Sequence, residues 1–141
     1  MDKRRVVLVG GCFDLIHYGH ISFLKQAKAQ GDYLVVALES DENVRQMKGA
    51  ARPIHSQSQR RAMLEALECI DEVISLPPMH SDQNYLELVL KVRPQVIAVT
   101  EGDPIKDKKE QHALKVGASL VVIPKIRTPS TSQLAKLLEL D

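Results

Sequence analysis

The sequence predicts an α/β fold: a doubly wound, five-stranded parallel sheet with helices on both faces. Three observations carry this expectation. Short β-branched apolar runs alternate with stretches of helical periodicity along the whole chain. Glycine and proline fall where each run should stop. No internal repeat, low-complexity tract or linker interrupts the alternation, so residues 1–141 read as a single domain. Strand, helix, strand in succession demands right-handed crossovers, and these build a parallel sheet covered on both sides. Ligands of such sheets bind beyond the carboxyl ends of the strands, at a topological switch point. The loops 10–20, 39–55, 100–106 and 124–131 are therefore where a site is expected.

Each element has its own signal. Val6–Val9 is β-branched and closed by Gly10-Gly11, a buried strand. From Ile21 to Ala29 apolar residues fall at 21, 23, 24 and 27, which is helical spacing, and Gly31-Asp32 ends it. Tyr33–Leu38 is the next strand and Asp41–Met47 a short helix. Ser56, with Gln59 three residues on, is a capping box opening a helix whose buried stripe is Met63, Leu64, Leu67 and Ile70. Val73–Leu76 is a strand closed by Pro77-Pro78. A helix over Tyr85–Val92 ends before Pro94, and Gln95–Val99 is a strand. Lys106–Val116 is helical with Gly117 as its C-terminal cap. Leu120–Ile123 is the last strand, and Ser130–Leu140 a terminal helix.

Composition narrows the function. Apolar residues make up 44% and charged residues 26%, ordinary for a folded domain. Net charge is +1 with acids and bases interspersed, which argues against a nucleic-acid arm or a polybasic membrane patch. No apolar run is long enough to span a bilayer, and the run after Arg5 is too short for a secretion signal. A cytoplasmic protein is expected. Cys12 and Cys69 match no metal or redox spacing and read as free thiols. A thiol enzyme using Cys12 would rest only on a cysteine near a helix start.

The strongest signal is the loop Gly10-Gly11-Cys12-Phe13-Asp14-Leu15-Ile16-His17-Tyr18-Gly19-His20. It holds neither a dinucleotide fingerprint nor a Walker A loop. Its glycines let backbone N–H groups approach an anion, and a helix begins near His20, so its dipole faces the same place. Taken singly, a histidine there reads as a helix cap, and two at this spacing read as half of a metal site. No further Cys or His supplies the other half, so no metal ligands are assigned among the side chains.

Residues 11–20 closely resemble the G-x-F-D-x-x-H-x-G-H signature of the cytidylyltransferase-like nucleotidyltransferases, a superfamily with a Rossmann-like fold. The stretch Ser40-Asp41…Val44…Lys48-Gly49…Arg52-Pro53-Ile54 is similar to that of ADP-heptose-forming enzymes, and less closely to archaeal FAD synthetase. The resemblance implies transfer of a nucleoside monophosphate from ATP or CTP to a phosphorylated acceptor, with pyrophosphate released and Mg²⁺ carried by the triphosphate. Adenylyl transfer to a heptose 1-phosphate leads; cytidylyl transfer to glycerol 3-phosphate and adenylyl transfer to FMN follow. A nucleotide-binding module without activity is the reading of a different class, and loss of either histidine would have favoured it.

The resemblance also implies roles. His17, His20 and Lys48 fall on the catalytic positions. Gly11, Cys12, Phe13, Asp14, Gly19, Arg60, Gly102, Asp103, Ser130, Thr131 and Ser132 fall on nucleotide-binding ones. Arg52, Lys125 and Arg127 are candidates for the acceptor, and either Lys125 or Arg127 could instead meet the β- and γ-phosphates. Asp14 can be read as a general base or as a residue that holds the loop. The second suits an acceptor phosphate that is already ionised near neutral pH. Glu101 and Pro104 depart from the pattern. A homodimer is expected by the same resemblance, and the kinase domain fused to some heptose enzymes has no counterpart in these 141 residues.

Overall fold

The structure, a computed structural model, describes residues 4–126 and 136–138. Five parallel strands form one sheet: β1 (Val6–Gly11), β2 (Tyr33–Leu38), β3 (Glu72–Ser75), β4 (Val96–Thr100) and β5 (Ser119–Ile123). Their order is β3-β2-β1-β4-β5, every pair parallel. Five helices connect or flank them: α1 (Tyr18–Lys28), α2 (Asp41–Lys48), α3 (Gln57–Glu65), α4 (Asp82–Val92) and α5 (Lys106–Val116). The expected fold class is the observed one.

The two-residue period of the strands sorts the core into two layers. Val7, Val9, Leu34, Val36, Leu38, Val96 and Ala98 point to one face, where Leu24 and Ala27 of α1 and Leu64 of α3 cover them. Leu8, Val35, Ala37, Ile97 and Val99 point to the other, under Val89 of α4 and Ala113 of α5. Each fully buried aliphatic side chain contributes roughly 1.5–3 kcal/mol, so the continuous apolar runs are what hold this sheet. The chain winds from β1 through β2 to β3 in one direction, then crosses to β4 and β5 on the other side. The crossover hand fixes the helix faces accordingly, and a crevice opens between the carboxyl ends of β1 and β4.

Several boundaries shift for local reasons. β1 runs on through Gly10 and Gly11, because these residues still pair with Ala37 and Leu38 of β2. Helix α1 starts at Tyr18, with His17 as its N-cap, and α4 starts at Asp82, with Ser81 as its N-cap. Both first turns are polar or small, so no apolar periodicity announces them. The capping box on Ser56 and Gln59 is formed, but α3 stops at Glu65 and leaves Met63 39% exposed. Leu67 and Ile70 pack on the core from the turn that follows. Helix α5 matches its expected limits, and Gly117 ends it at φ 69°, a left-handed conformation that favours glycine. The terminal helix expected over Ser130–Leu140 lies outside the described residues, apart from 136–138.

Candidate active site

The site is built on the turn that leaves β1. Phe13 and Leu15 both hold positive φ, at 49° and 58°, conformations that side chains beyond Cβ disfavour. The loop is kept there by Asp14. Its buried carboxylate accepts hydrogen bonds from Arg52 Nε at 2.8 Å, Ile54 N at 2.6 Å and His55 N at 3.0 Å. Burial alone would raise the Asp14 carboxyl; the bonds from Ile54, Arg52 and His55 outweigh it and hold the group below its ordinary range. Asp14 thus clamps the first loop to the segment after α2. An ionised carboxylate whose oxygens already serve three donors is poorly placed to act as a base.

The loop then delivers two histidines. His17 Nδ1 accepts from Gly19 N at 3.0 Å and so caps α1. His20 Nδ1 accepts from His17 N at 3.1 Å, closing a reciprocal box. The rings lie with centroids 4.1 Å apart. A ring nitrogen that accepts from a backbone N–H carries no proton, so in each ring the proton sits on Nε2. Burial lowers both, and with the help of His17 and Lys48 brings His20 down to about 4. The pair is therefore neutral near pH 7 and offers two Nε2–H donors. Cap and donor are the same side chain, which joins the two readings that the sequence left separate.

These histidines line a cavity of about 370 Å³ at the crevice, together with Gly11, Cys12, Phe13, Asp14, Gly19, Lys48, Arg52, Asp103 and Lys125. Side chains at Gly11 are excluded by close approach: a Cβ there would meet the Phe13 ring at 2.7 Å. Lys48 ends α2 and is exposed, so its ammonium can swing over the mouth. The cations Lys48, Arg52, Lys109 and Lys125 outnumber the acids Asp14 and Asp103, and α1 aims its positive end at the same space. The cavity suits a polyanion.

Other expected site residues are placed differently. Arg60, expected to contact the nucleotide, is fully buried and is not among the residues that line the cavity. Its guanidinium donates to Cys12 O at 2.7 Å, to His55 O at 3.1 Å and to Asp41 Oδ1 at 2.7 Å, so its donors are spent on the scaffold. Gly102, at φ 84°, shapes the loop after β4 without lining the cavity. Asp103 accepts from Ile105 N at 2.9 Å and pairs with Lys109 at 2.6 Å. Glu101, a departure from the family pattern, accepts from Lys125 N at 3.2 Å and so ties the segment leaving β5 to the loop after β4. Burial pushes the Cys12 thiol up against the pull of Lys48, which removes the thiolate that a redox reading needs. Arg127, Ser130, Thr131 and Ser132 lie outside the described residues.

Sequence reasoning missed Lys109, Glu39 and Tyr85. Lys109 stands among the lysines of a polar helix, and only the fold turns it inward. Glu39 directly follows an apolar strand, a position at the carboxyl edge of the sheet that could have marked it.

Sheet order, crevice and loop together define a doubly wound α/β domain with a cation-lined cavity at its switch point. The chain belongs to the cytidylyltransferase-like family, whose model matches residues 8–134. It is similar to the bifunctional protein HldE of Campylobacter jejuni, 38% identical over 120 residues, covering 85% of this chain and 24% of that protein. The Koribacter versatilis protein of the same name is 44% identical over 102 residues, covering 72% of this chain and 20% of its own. The chain thus spans about a quarter of the length of these relatives or less. The fold is shared with the lipopolysaccharide core biosynthesis protein of Thermoplasma volcanium GSS1, at TM-score 0.71 and 24% identity over 89% of this chain and 99% of that one. It is shared also with pantoate-beta-alanine ligase of Francisella tularensis, at TM-score 0.64 and 18% identity over 92% of this chain and 62% of that one.

Proposed function

We propose that the chain transfers AMP from ATP to a heptose 1-phosphate or a close sugar phosphate and releases pyrophosphate. The observation that carries this reading is the pair of neutral Nε2–H donors, held by their own Nδ1 bonds beside a cation-lined cavity at the switch point. The name HldE among the relatives and the resemblance of the Ser40–Ile54 stretch favour this acceptor.

The chemistry follows from charge. An acceptor phosphate oxygen attacks the α-phosphorus in line. That oxygen–phosphorus bond forms as the bond from the α-phosphorus to the bridging oxygen of the β-phosphate breaks, and pyrophosphate leaves with the electron pair. No base is needed, because the nucleophile is already an anion. His17 and His20 donate to oxygens whose charge grows in the transition state, and Lys48, Arg52 and Lys125 hold phosphates in register. Among the described residues no group of three His, Cys, Asp or Glu could hold a metal ion. Mg²⁺ carried by the triphosphate would neutralise part of its charge as the anionic acceptor approaches. The reading includes a cytoplasmic homodimer that binds neither nucleic acid nor membrane. Among the described residues no helix is long and apolar enough to cross a bilayer.

Pyrophosphate release, measured with Mg²⁺ and either ATP or CTP against heptose 1-phosphate, glycerol 3-phosphate and FMN, tests the reaction. Release with ATP and heptose 1-phosphate is expected. His17→Ala and His20→Ala should each lower kcat about 10²–10³-fold while the far-ultraviolet spectrum stays native. Release with another pair alone would replace the acceptor or the base, and a His20→Ala variant with near-normal kcat would remove the mechanism.

A further inference from the structure

A second cavity, of about 340 Å³, opens on the opposite face of the sheet between α4 and α5. It shares Gly10, Gly11, Cys12, Ala98, Asp103 and Lys109 with the first, so the two meet end to end at the crevice. Its walls are apolar, with Leu8, Leu76, Leu88, Val89 and Ile97 among them. Of its charged side chains, Glu39, Asp82, Asp103, Lys108 and Lys109, only Glu39 is buried. Glu39, 7% exposed, follows β2 directly and is fixed by its own N–H on Gly11 O at 3.1 Å. The Tyr85 hydroxyl meets both carboxylate oxygens at 3.0 Å. Among the described residues no cation forms an ion pair with it.

A carboxylate can accept about four hydrogen bonds, and one hydroxyl uses little of that capacity. An ionised group withdrawn from water in this way is costly until donors reach it. Burial raises the Glu39 carboxyl above its ordinary range, against the opposing Tyr85 bond and the nearby charges of Lys109 and Arg60. A ligand suited to this space has an apolar carbon surface and hydroxyl donors. It also carries a phosphate that can remain at the junction near Lys109. A sugar ring has both kinds of surface, in its C–H faces and its hydroxyls.

We propose that the second cavity seats the carbon body of the acceptor, and that Glu39, oriented by Tyr85, selects it by receiving its hydroxyl groups. The assignment rests on the sugar-phosphate reading above. It makes the crevice a shared floor, with nucleotide on the α1 side and acceptor on the α4–α5 side.

Calorimetric titration of wild type, Glu39→Gln and Ile105→Trp with heptose 1-phosphate, and separately with ATP, decides it. Glu39→Gln should weaken heptose 1-phosphate binding by about tenfold or more, the effect of losing hydrogen bonds to a charged group. ATP binding should stay within about twofold, and kcat at saturating acceptor should change less than KM. Ile105, exposed at the rim of this cavity, offers a variant that spares the core; tryptophan there should weaken the acceptor alone. If the wild type adenylylates heptose 1-phosphate and Glu39→Gln binds it equally well, the Glu39 assignment falls and the reaction stands. Unchanged acceptor binding by Ile105→Trp would overturn the second cavity as the seat. A wild type that neither binds nor adenylylates heptose 1-phosphate overturns the reaction and the assignment together.

Discussion

His17 and His20 show how a backbone bond can set a side chain's chemistry. Each accepts a backbone N–H on Nδ1, which fixes the tautomer, and burial disfavours the charged ring. The consequence reaches stability. Between the ordinary value of 6.5 and about 4, the unfolded chain binds a proton at His20 that the folded chain refuses. Stability therefore rises with pH across that window, by on the order of 3 kcal/mol for this group, and is lost as the solution is acidified from 6.5 toward 4. Urea denaturation at stepped pH should show the slope, and His20→Asn should flatten it. Nitrogen-15 shifts that report His20 titrating near 6.5 in the folded chain would overturn the neutral pair. The histidines were legible in the sequence as a motif. Their tautomers were not, because these depend on which N–H each Nδ1 meets after α1 forms.

At the scale of elements, the site is three segments tied by two buried side chains. Asp14 binds the first loop to residues 52–55, and Arg60 of α3 binds that same loop to His55 and to α2. The family pattern places an arginine at position 60 and implies a phosphate contact for it. Sequence alone does not distinguish an arginine that faces the cavity from one that faces the scaffold behind it. The adjacent Arg61 does reach outward, to Glu65 and Ser75. Replacing Arg60 by methionine keeps the apolar length but orphans two carbonyls and one carboxylate. The change should cost roughly 3 kcal/mol in urea denaturation, whereas a loss below about 1 kcal/mol would place Arg60 outside the scaffold. Caps were more legible than interiors. Ser56-Gln59 and Gly117 act within one turn of chain, so their neighbours in sequence are their neighbours in space. Lys109 meets the crevice only through long-range packing, and nothing local announces it, whereas Glu39 carries one local sign, its place directly after an apolar strand.

The whole molecule places one crevice at the switch point of a single sheet. α1 and α3 cover one face of that sheet and α4 and α5 the other, and each core layer draws on strands from both sides of the β1–β4 junction. β1 and β4 pair over Val7–Leu8 and Val96–Ile97 and diverge toward their carboxyl ends, where both cavities open. On the reading proposed above, a polyanion in that opening meets Lys48 and Arg52 from the β1–β2 side and Lys109 and Lys125 from the β4–β5 side. Binding there should stabilise the fold as a unit. At a hundred times its dissociation constant, Mg-ATP contributes about 2.7 kcal/mol, which for a chain of this size raises the melting temperature by roughly 8 °C. Mg²⁺ alone should leave the melting temperature unchanged, because the cations facing the cavity repel it and the acids there, Asp14 and Asp103, are already paired with Arg52 and Lys109. Thermal melts with Mg²⁺, ATP with chelator, and Mg-ATP separate these terms. A shift with Mg²⁺ alone as large as that with Mg-ATP would mean that the protein builds a metal site of its own and that the ion does not depend on the triphosphate to enter.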